Sequence, residues 1–110
     1  MTKVLFLIMS DDTKFDLGIR ISYNSFKNRR YDEMKVLFFG PSQKRLTQLD
    51  GDIKSMFHEL LQNKIVDSAC IGIAENMKIK PNLESLGISL MPTSERVAHF
   101  VREGYEIISF

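Results

Sequence analysis

Five short apolar runs, separated by segments with helical spacing, constrain the fold of this chain more than any other feature. The runs lack the polar–apolar alternation of a half-exposed strand, and this is typical of strands buried on both faces of a sheet. Strands that alternate with helices predict an α/β fold, a three-layer domain with a mostly parallel sheet of about five strands and helices on both faces. The predicted strands are Lys3–Met9, Lys35–Phe39, Ile65–Cys70, Ile88–Met91 and Tyr105–Phe110.

The segments between the runs show where helices are expected. The first helix begins near Asp12 or Thr13, either of which can serve as its N-cap, and a short helix follows Cys70. The last helix extends from about Thr93 to Glu103, and Gly104 suits the left-handed position that ends a helix. The apolar faces comprise Phe15, Ile19, Ser22 and Phe26 in the first helix, Ile53, Met56, Phe57, Leu60, Leu61 and Lys64 in a second, and Val97, Phe100 and Val101 in the last.

Length and charge restrict the class of protein. The chain has 110 residues, close to the commonest size of one domain, so residues 1–110 are expected to form a single domain. The 15 Lys and Arg residues nearly balance the 14 Asp and Glu residues, and the net charge is +1. This balance, with a pI of 7.9, gives no electrostatic signal for nucleic acid or for an anionic membrane. We therefore expect neither as a partner.

The cysteine count and the N-terminal run predict a location. With 1 cysteine the chain can form neither an intramolecular disulfide nor a four-thiolate zinc site, which favours a reducing compartment. The apolar run Val4–Met9 ends at once in Ser10-Asp11-Asp12, so it is too short for a signal-peptide core or a membrane span. We therefore expect a cytoplasmic protein.

Ligands of open α/β sheets bind beyond the carboxyl ends of the strands, so four loops are candidate site segments. They are Ser10–Thr13, Gly40–Ser42, Cys70–Ala74 and Pro92–Ser94. In the first two loops, the candidate crevice residues are Ser10, Asp11, Asp12, Gly40, Pro41 and Ser42.

Neither of these first two loops has a phosphate-binding or metal-binding pattern. Gly40-Pro41-Ser42 lacks the spacing of glycine-rich phosphate loops and is interpreted as a turn with a helix cap. No further carboxylate or histidine is spaced to complete a metal site with Asp11 and Asp12, and helix capping accounts for them. We therefore predict no metal and no cofactor. A flavin- or nucleotide-binding domain of flavodoxin-like topology that uses these loops is an alternative interpretation.

Cys70 is the only thiol, and it lies between a predicted strand and a predicted helix. The free N–H groups and the positive dipole end of such a helix stabilise a thiolate, the reactive form of cysteine. The alternative is that Cys70 is a small buried hydrophobic residue, a common environment for a free cysteine. The residues expected to cradle the sulfur are Ile71, Gly72, Ile73 and Ala74.

Two further features concern catalysis and assembly. Cys–His chemistry requires an imidazole near the sulfur, but His58 and His99 both lie within predicted helices, so hydrolase activity is not supported. Phe110 ends the chain in a predicted strand, and a small domain that exposes such a residue often buries it against a sister subunit. We therefore expect a homo-oligomer.

In order and spacing, five pieces of the chain resemble the DsrE-like family of small sulfur-relay domains, which includes the DsrE, DsrF and TusD proteins. The pieces are Val4–Met9, Phe38-Phe39-Gly40, Val66–Cys70 with Ile71–Ile79, Leu86-Gly87-Ile88, and Gly104–Phe110. The resemblance covers nearly the whole chain and implies the α/β fold predicted above. It also implies that Cys70 accepts sulfur as a persulfide from a donor protein and passes it to an acceptor thiol. Trimers or hexamers are the implied assemblies.

The chain departs from the family pattern at Lys78. A glycine often precedes the apolar residue that Ile79 resembles, so the helix end after the cysteine can run differently here. Two hypotheses of function follow. The first is a small cytoplasmic sulfur-relay protein, a sulfur carrier or persulfide sulfurtransferase, that acts through Cys70. The second is a non-catalytic homo-oligomeric binding or assembly module in which Cys70 is only structural.

Overall fold

The computed structural model describes residues 1–110 and confirms the predicted α/β fold. The strands are β1 (Lys3–Ile8), β2 (Glu33–Phe38), β3 (Val66–Cys70), β4 (Leu90–Met91) and β5 (Glu106–Ser109). The helices are α1 (Thr13–Lys27), α2 (Ser42–Arg45), α3 (Gly51–Gln62), α4 (Ile71–Asn76), α5 (Lys80–Leu86) and α6 (Thr93–Arg102), and a 3-10 helix, Leu46–Gln48, follows α2.

All five strands are parallel and lie in the order β4-β3-β2-β1-β5. From β1 the chain moves strand by strand towards β4, and it then returns across the whole sheet to place β5 beside β1. Right-handed crossovers that move in one direction place their helices on one face, so the return through α6 puts that helix on the opposite face.

The face that packs against α1, α3, α4 and α5 holds most of the core, and we call it the first face. A cluster of 17 buried residues joins Val4, Phe6 and Ile8 of β1 to these helices. At its centre the rings of Phe38 and Phe57 lie 5.8 Å apart, in an edge-to-face arrangement that adds to the burial of apolar area.

The opposite, second face is packed against α6 alone. Its buried cluster has 3 members, Leu5, Leu37 and Phe100. The Arg96 guanidinium fixes α6 to β3 by donating two hydrogen bonds to the Asp67 carboxylate, of 2.8 and 3.0 Å. A helix is ~10 Å across and neighbouring strands are ~4.8 Å apart, so one helix covers only about two strands of the sheet.

Several local predictions are confirmed. Asp12 caps α1, and its carboxylate accepts a 2.9 Å hydrogen bond from the Lys14 N–H. A short helix does follow Cys70, and Gly104 adopts a left-handed φ of 85° just past Glu103, the C-cap of α6. Lys78 also has a positive φ, 58°, so a lysine holds the backbone conformation that a glycine adopts more easily.

Other predictions are wrong. Helix α5 was not expected, and the strand expected over Ile88–Met91 has only the two residues of β4. Val101 was expected in the core but is 55% exposed. Phe110 is half-buried in its own chain, where its ring lies 6.1 Å from that of Phe6 and its carbonyl accepts a 2.7 Å hydrogen bond from Met9. The chain itself therefore packs part of this terminal ring, and the homo-oligomer stays a prediction.

Candidate functional site

The sheet has one place where neighbouring loops leave in opposite directions. After β3 the chain enters α4 on the first face, whereas after the adjacent β4 it enters α6 on the second face. Such a switch point leaves a crevice beyond the carboxyl ends of the two strands, and ligands of α/β proteins bind there. Cys70 ends β3 and pairs in register with Met91 of β4, so the thiol lies at this switch point.

Two buried side chains secure the strand ends at this edge of the sheet. The Gln43 amide donates a 2.9 Å hydrogen bond to the Cys70 carbonyl, and its oxygen accepts one of 3.0 Å from the Gly40 N–H. The Ser42 hydroxyl donates a 2.7 Å hydrogen bond to the Ile8 carbonyl. Because Gln43 links the ends of β2 and β3, it fixes the backbone from which the thiol projects.

Hydrogen-bond donors surround the half-buried Cys70 sulfur. Burial by itself raises the pKa of this thiol, because it penalises the charged form. The Thr93 hydroxyl and the backbone N–H groups of Ile73, Thr93 and Gly72 oppose this effect and outweigh it, so the net pKa lies below its usual value. Since Ile73 and Gly72 belong to α4 and Thr93 is the first residue of α6, two helix starts converge on one sulfur.

Thr93 is distinctive within this group. Its side-chain oxygen is buried and makes no hydrogen bond of regular geometry, and no other buried side-chain polar atom lacks a partner. A buried hydroxyl without a partner costs free energy of the order of 1–3 kcal/mol. The Thr93 hydroxyl lowers the pKa of the Cys70 thiol, so it lies close to the sulfur. We therefore interpret it as a donor that is free to bond a sulfur anion.

Beside the thiol an open groove of about 960 Å³ extends along α6 over the second face; we call it the Cys70 groove. One wall is formed by the ends of β1 and β2, and the other by α6. Its lining residues are Leu7, Met9, Phe39, Cys70, Ile71, Gly72, Pro92, Thr93, Ser94, Val97, Ala98, Val101 and Arg102. Apart from the two ends of the groove, where Cys70 and Arg102 lie, its walls are predominantly apolar.

The predicted site segments fall into two groups. The segments Cys70–Gly72 and Pro92–Ser94 meet at the groove, whereas Ile73 does not line it and Ala74 is buried in the core of the first face. The loops with Ser10, Asp11, Asp12, Gly40, Pro41 and Ser42 do not line it. Asp12 and Ser42 are engaged in the helix cap and the strand-end bond described above, and neither His58 nor His99 reaches the groove.

Sequence reasoning missed the contributions of Gln43 and Thr93. Thr93 lies in a loop that was singled out, but its position suggested only a helix start, and its approach to Cys70 depends on the pairing of β3 with β4. No local signal identifies Gln43, because glutamine is ordinarily exposed and its burial follows from tertiary contacts.

Comparisons with known proteins identify the fold alone. No protein-family model and no curated protein matches the chain. A solved structure of a conserved protein of unknown function from Bacteroides thetaiotaomicron is similar, with a TM-score of 0.82 and 22% sequence identity over 98% of this chain and 94% of that one. None of the helices here is both long and apolar enough to cross a membrane.

Proposed function

We propose that the protein is a sulfur carrier that holds sulfur as a persulfide on Cys70. The observation that carries this proposal is the position of the only thiol, at the switch point of the sheet, where the Thr93 hydroxyl and three backbone N–H groups lower its pKa. The sequence resemblance to DsrE-like sulfur-relay domains points to the same residue. A reducing compartment such as the cytoplasm is part of the proposal, because the thiol has to stay free.

The chemistry requires only a thiolate and an incoming persulfide, R–S–SH. The Cys70 thiolate attacks the outer sulfur, a bond forms between the two sulfurs, and the sulfur–sulfur bond of the incoming persulfide breaks. The leaving RS⁻ takes the electron pair, and the proton stays on the transferred sulfur. Charge and oxidation state balance without a further reactant.

The donors around Cys70 suit both the loading and the release of sulfur. A persulfide anion carries its charge on the outer sulfur, and the N–H groups of Ile73, Gly72 and Thr93 lie where they stabilise an anion at the site. Because the chain has no second cysteine, the sulfur has to leave by attack of a thiol from another molecule. A separate persulfide donor and a separate thiol acceptor are therefore part of the proposal.

Intact-mass spectrometry after incubation with a persulfide donor tests this function. The wild-type protein is expected to gain about 32 Da per sulfur atom, to lose it on reduction, and to show no gain as Cys70→Ser. Thr47→Ser, an exposed hydroxyl change, serves as a handling control and should load normally. Equal loading of wild type and Cys70→Ser, or no loading of either, would sink the assignment.

The second candidate, an assembly module with a structural cysteine, is favoured by the apolar residues that the second face leaves uncovered. Val101 is 55% exposed and Ile107 is 39% exposed. An assembly module predicts a homo-oligomer, such as a trimer or hexamer, and a thiol that iodoacetamide modifies only after unfolding. Light scattering with native alkylation separates the two functions, because a carrier has to present its thiol in the native state.

A further inference from the structure

The Cys70 groove has chemically different ends and similar walls. Cys70 and Thr93 lie at one end, and Arg102 lies at the other, nine residues further along α6. At ~1.5 Å per residue the helix separates these ends by roughly 13 Å. Between them the walls present Leu7, Phe39 and Val101. An occupant that extends from Cys70 to Arg102 therefore lies against hydrocarbon.

Arg102 is the charged group at the distal end of this groove. It is exposed, and no carboxylate lies within salt-bridge distance of it, whereas Arg45 and Arg96 both have acidic partners. Its place in the last turn of α6 complements the helix dipole, but this leaves the donors of the guanidinium free. A planar guanidinium of this kind favours carboxylates, which it binds through two parallel hydrogen bonds.

We propose that the groove selects small-molecule thiols and persulfides that carry an apolar chain ending in a carboxylate. The sulfur lies at Cys70, the chain lies along the apolar walls, and the carboxylate lies at Arg102. This inference rests on the proposed sulfur chemistry of Cys70 and names its substrate class. The volume of about 960 Å³ lies within the size range of small-molecule sites.

Affinity labelling of Cys70 measures the selectivity of the groove without sulfur transfer. The thiolate adds to the double bond of a maleimide: a carbon–sulfur bond forms, the π bond breaks, and the adjacent carbon takes a proton from water. The reagents are N-ethylmaleimide, N-hexylmaleimide, and maleimides whose hexyl chains end in a carboxylate or an ammonium group. Each labelling rate is divided by the rate of the same reagent with N-acetylcysteine, which removes intrinsic reactivity.

Hexyl and carboxylate-terminated reagents are expected to label Cys70 on the order of tenfold faster than the ethyl reagent, because several methylene groups leave water. The ammonium-terminated reagent should be the slowest of the three long-chain compounds. Val101→Glu is expected to remove most of the chain-length advantage. Arg102→Glu should reverse the order of the two charged reagents and leave the hexyl rate unchanged.

Leu17→Glu and Arg20→Glu on α1 are matched controls, because both residues are exposed and neither lines the groove. The proposal would be overturned by relative rates that do not depend on chain length. It would also be overturned if the control variants changed the order of the reagents as much as the groove variants do. A third outcome would also overturn it: the wild type is an oligomer, Val101→Glu dissociates it, and labelling shows no chain-length preference. The groove is then an interface between copies of the chain. Failure of persulfide loading with retained selectivity would refute the carrier function alone.

Discussion

The two faces of the sheet differ in what covers them. The first face packs against four helices and buries 17 residues in one cluster, whereas the second packs against α6 alone and buries 3. The free energy of folding is therefore concentrated on the first face, because it grows with the apolar area removed from water. The second face retains the exposed apolar walls and the thiol.

This difference follows from topology. Three successive crossovers in one direction place their helices on the first face, and only the return from β4 to β5 supplies a helix to the second. The same reversal creates the switch point at Cys70. The uncovered face and the candidate site are thus two consequences of one change of direction in the chain.

Two adjacent phenylalanines at the end of β2 give the strongest test of the difference between the two faces. Phe38 is fully buried on the first face, and Phe39 is half-buried in the Cys70 groove. Phe38→Ala is expected to cost ~3–5 kcal/mol of unfolding free energy, because it leaves a cavity in the core. Phe39→Ala should cost only about 1 kcal/mol, since water already reaches this ring. Urea denaturation of both variants provides the measurement, and equal losses would show that the two faces contribute alike.

Much of the first face could be predicted from the sequence. The apolar runs identified β1, β2 and β3, and the spacing of Phe15 and Ile19 identified the buried side of α1, because a strand or helix packed against a core has a regular apolar pattern. Helix α5 was missed because Pro81 near its start was interpreted only as the end of an element. Proline is tolerated in a first helical turn, so the signal was ambiguous.

The second face was less predictable. Val101 has the spacing of a core residue, but spacing cannot show how much of a sheet a single helix covers. Cys70 could be identified from its place at a strand end, whereas Thr93 and Gln43 come to it only through the pairing of strands distant in sequence. Sites formed by such tertiary contacts have no local pattern.

A prediction of intermediate size concerns the ion pair that fixes α6. The side chains of Asp67 and Arg96 are 13% and 25% exposed, so the pair is better shielded than most surface pairs. Asp67→Asn is expected to cost ~1–2 kcal/mol of unfolding free energy, since charge-assisted hydrogen bonds are lost. Glu59→Gln, which removes the charge of the more exposed pair with Lys27, should cost less. A larger loss for Glu59→Gln would contradict this ranking.

Thr93→Val is expected to change the reactivity of Cys70 more than the stability of the fold. Loss of the hydroxyl removes a donor that lowers the thiol pKa, so the pKa of Cys70 should rise. At neutral pH the thiolate fraction falls and iodoacetamide alkylation slows severalfold, whereas at alkaline pH the two rates converge. Thr93→Ser should restore the wild-type pH profile. Identical profiles for wild type and Thr93→Val would exclude the hydroxyl as a donor.

The same pKa shift predicts a pH dependence of stability. Because the folded pKa of Cys70 lies below its unfolded value, the thiolate stabilises the fold above the unfolded pKa, and this contribution is lost as the pH falls through the folded pKa. Urea midpoints of wild type should therefore rise relative to Cys70→Ser between neutral and alkaline pH. A constant difference between the two proteins would contradict the shift.

The smallest expected effect on stability lies in the link between α4, the helix that follows Cys70, and α5. Lys78 has a φ of 58°, which is strained for a residue with a Cβ, and its side chain is exposed. Lys78→Gly relieves this strain but makes the unfolded chain more flexible, so a net gain of up to ~1 kcal/mol is expected. Met77→Gly is the matched control, because Met77 has a φ of −82° and should lose stability on the same substitution. Opposite signs for these neighbours would show that backbone strain at one residue, and not glycine flexibility in the link, determines the response. If both variants lose stability equally, Lys78 is unstrained, and a lysine at this position has no energetic cost.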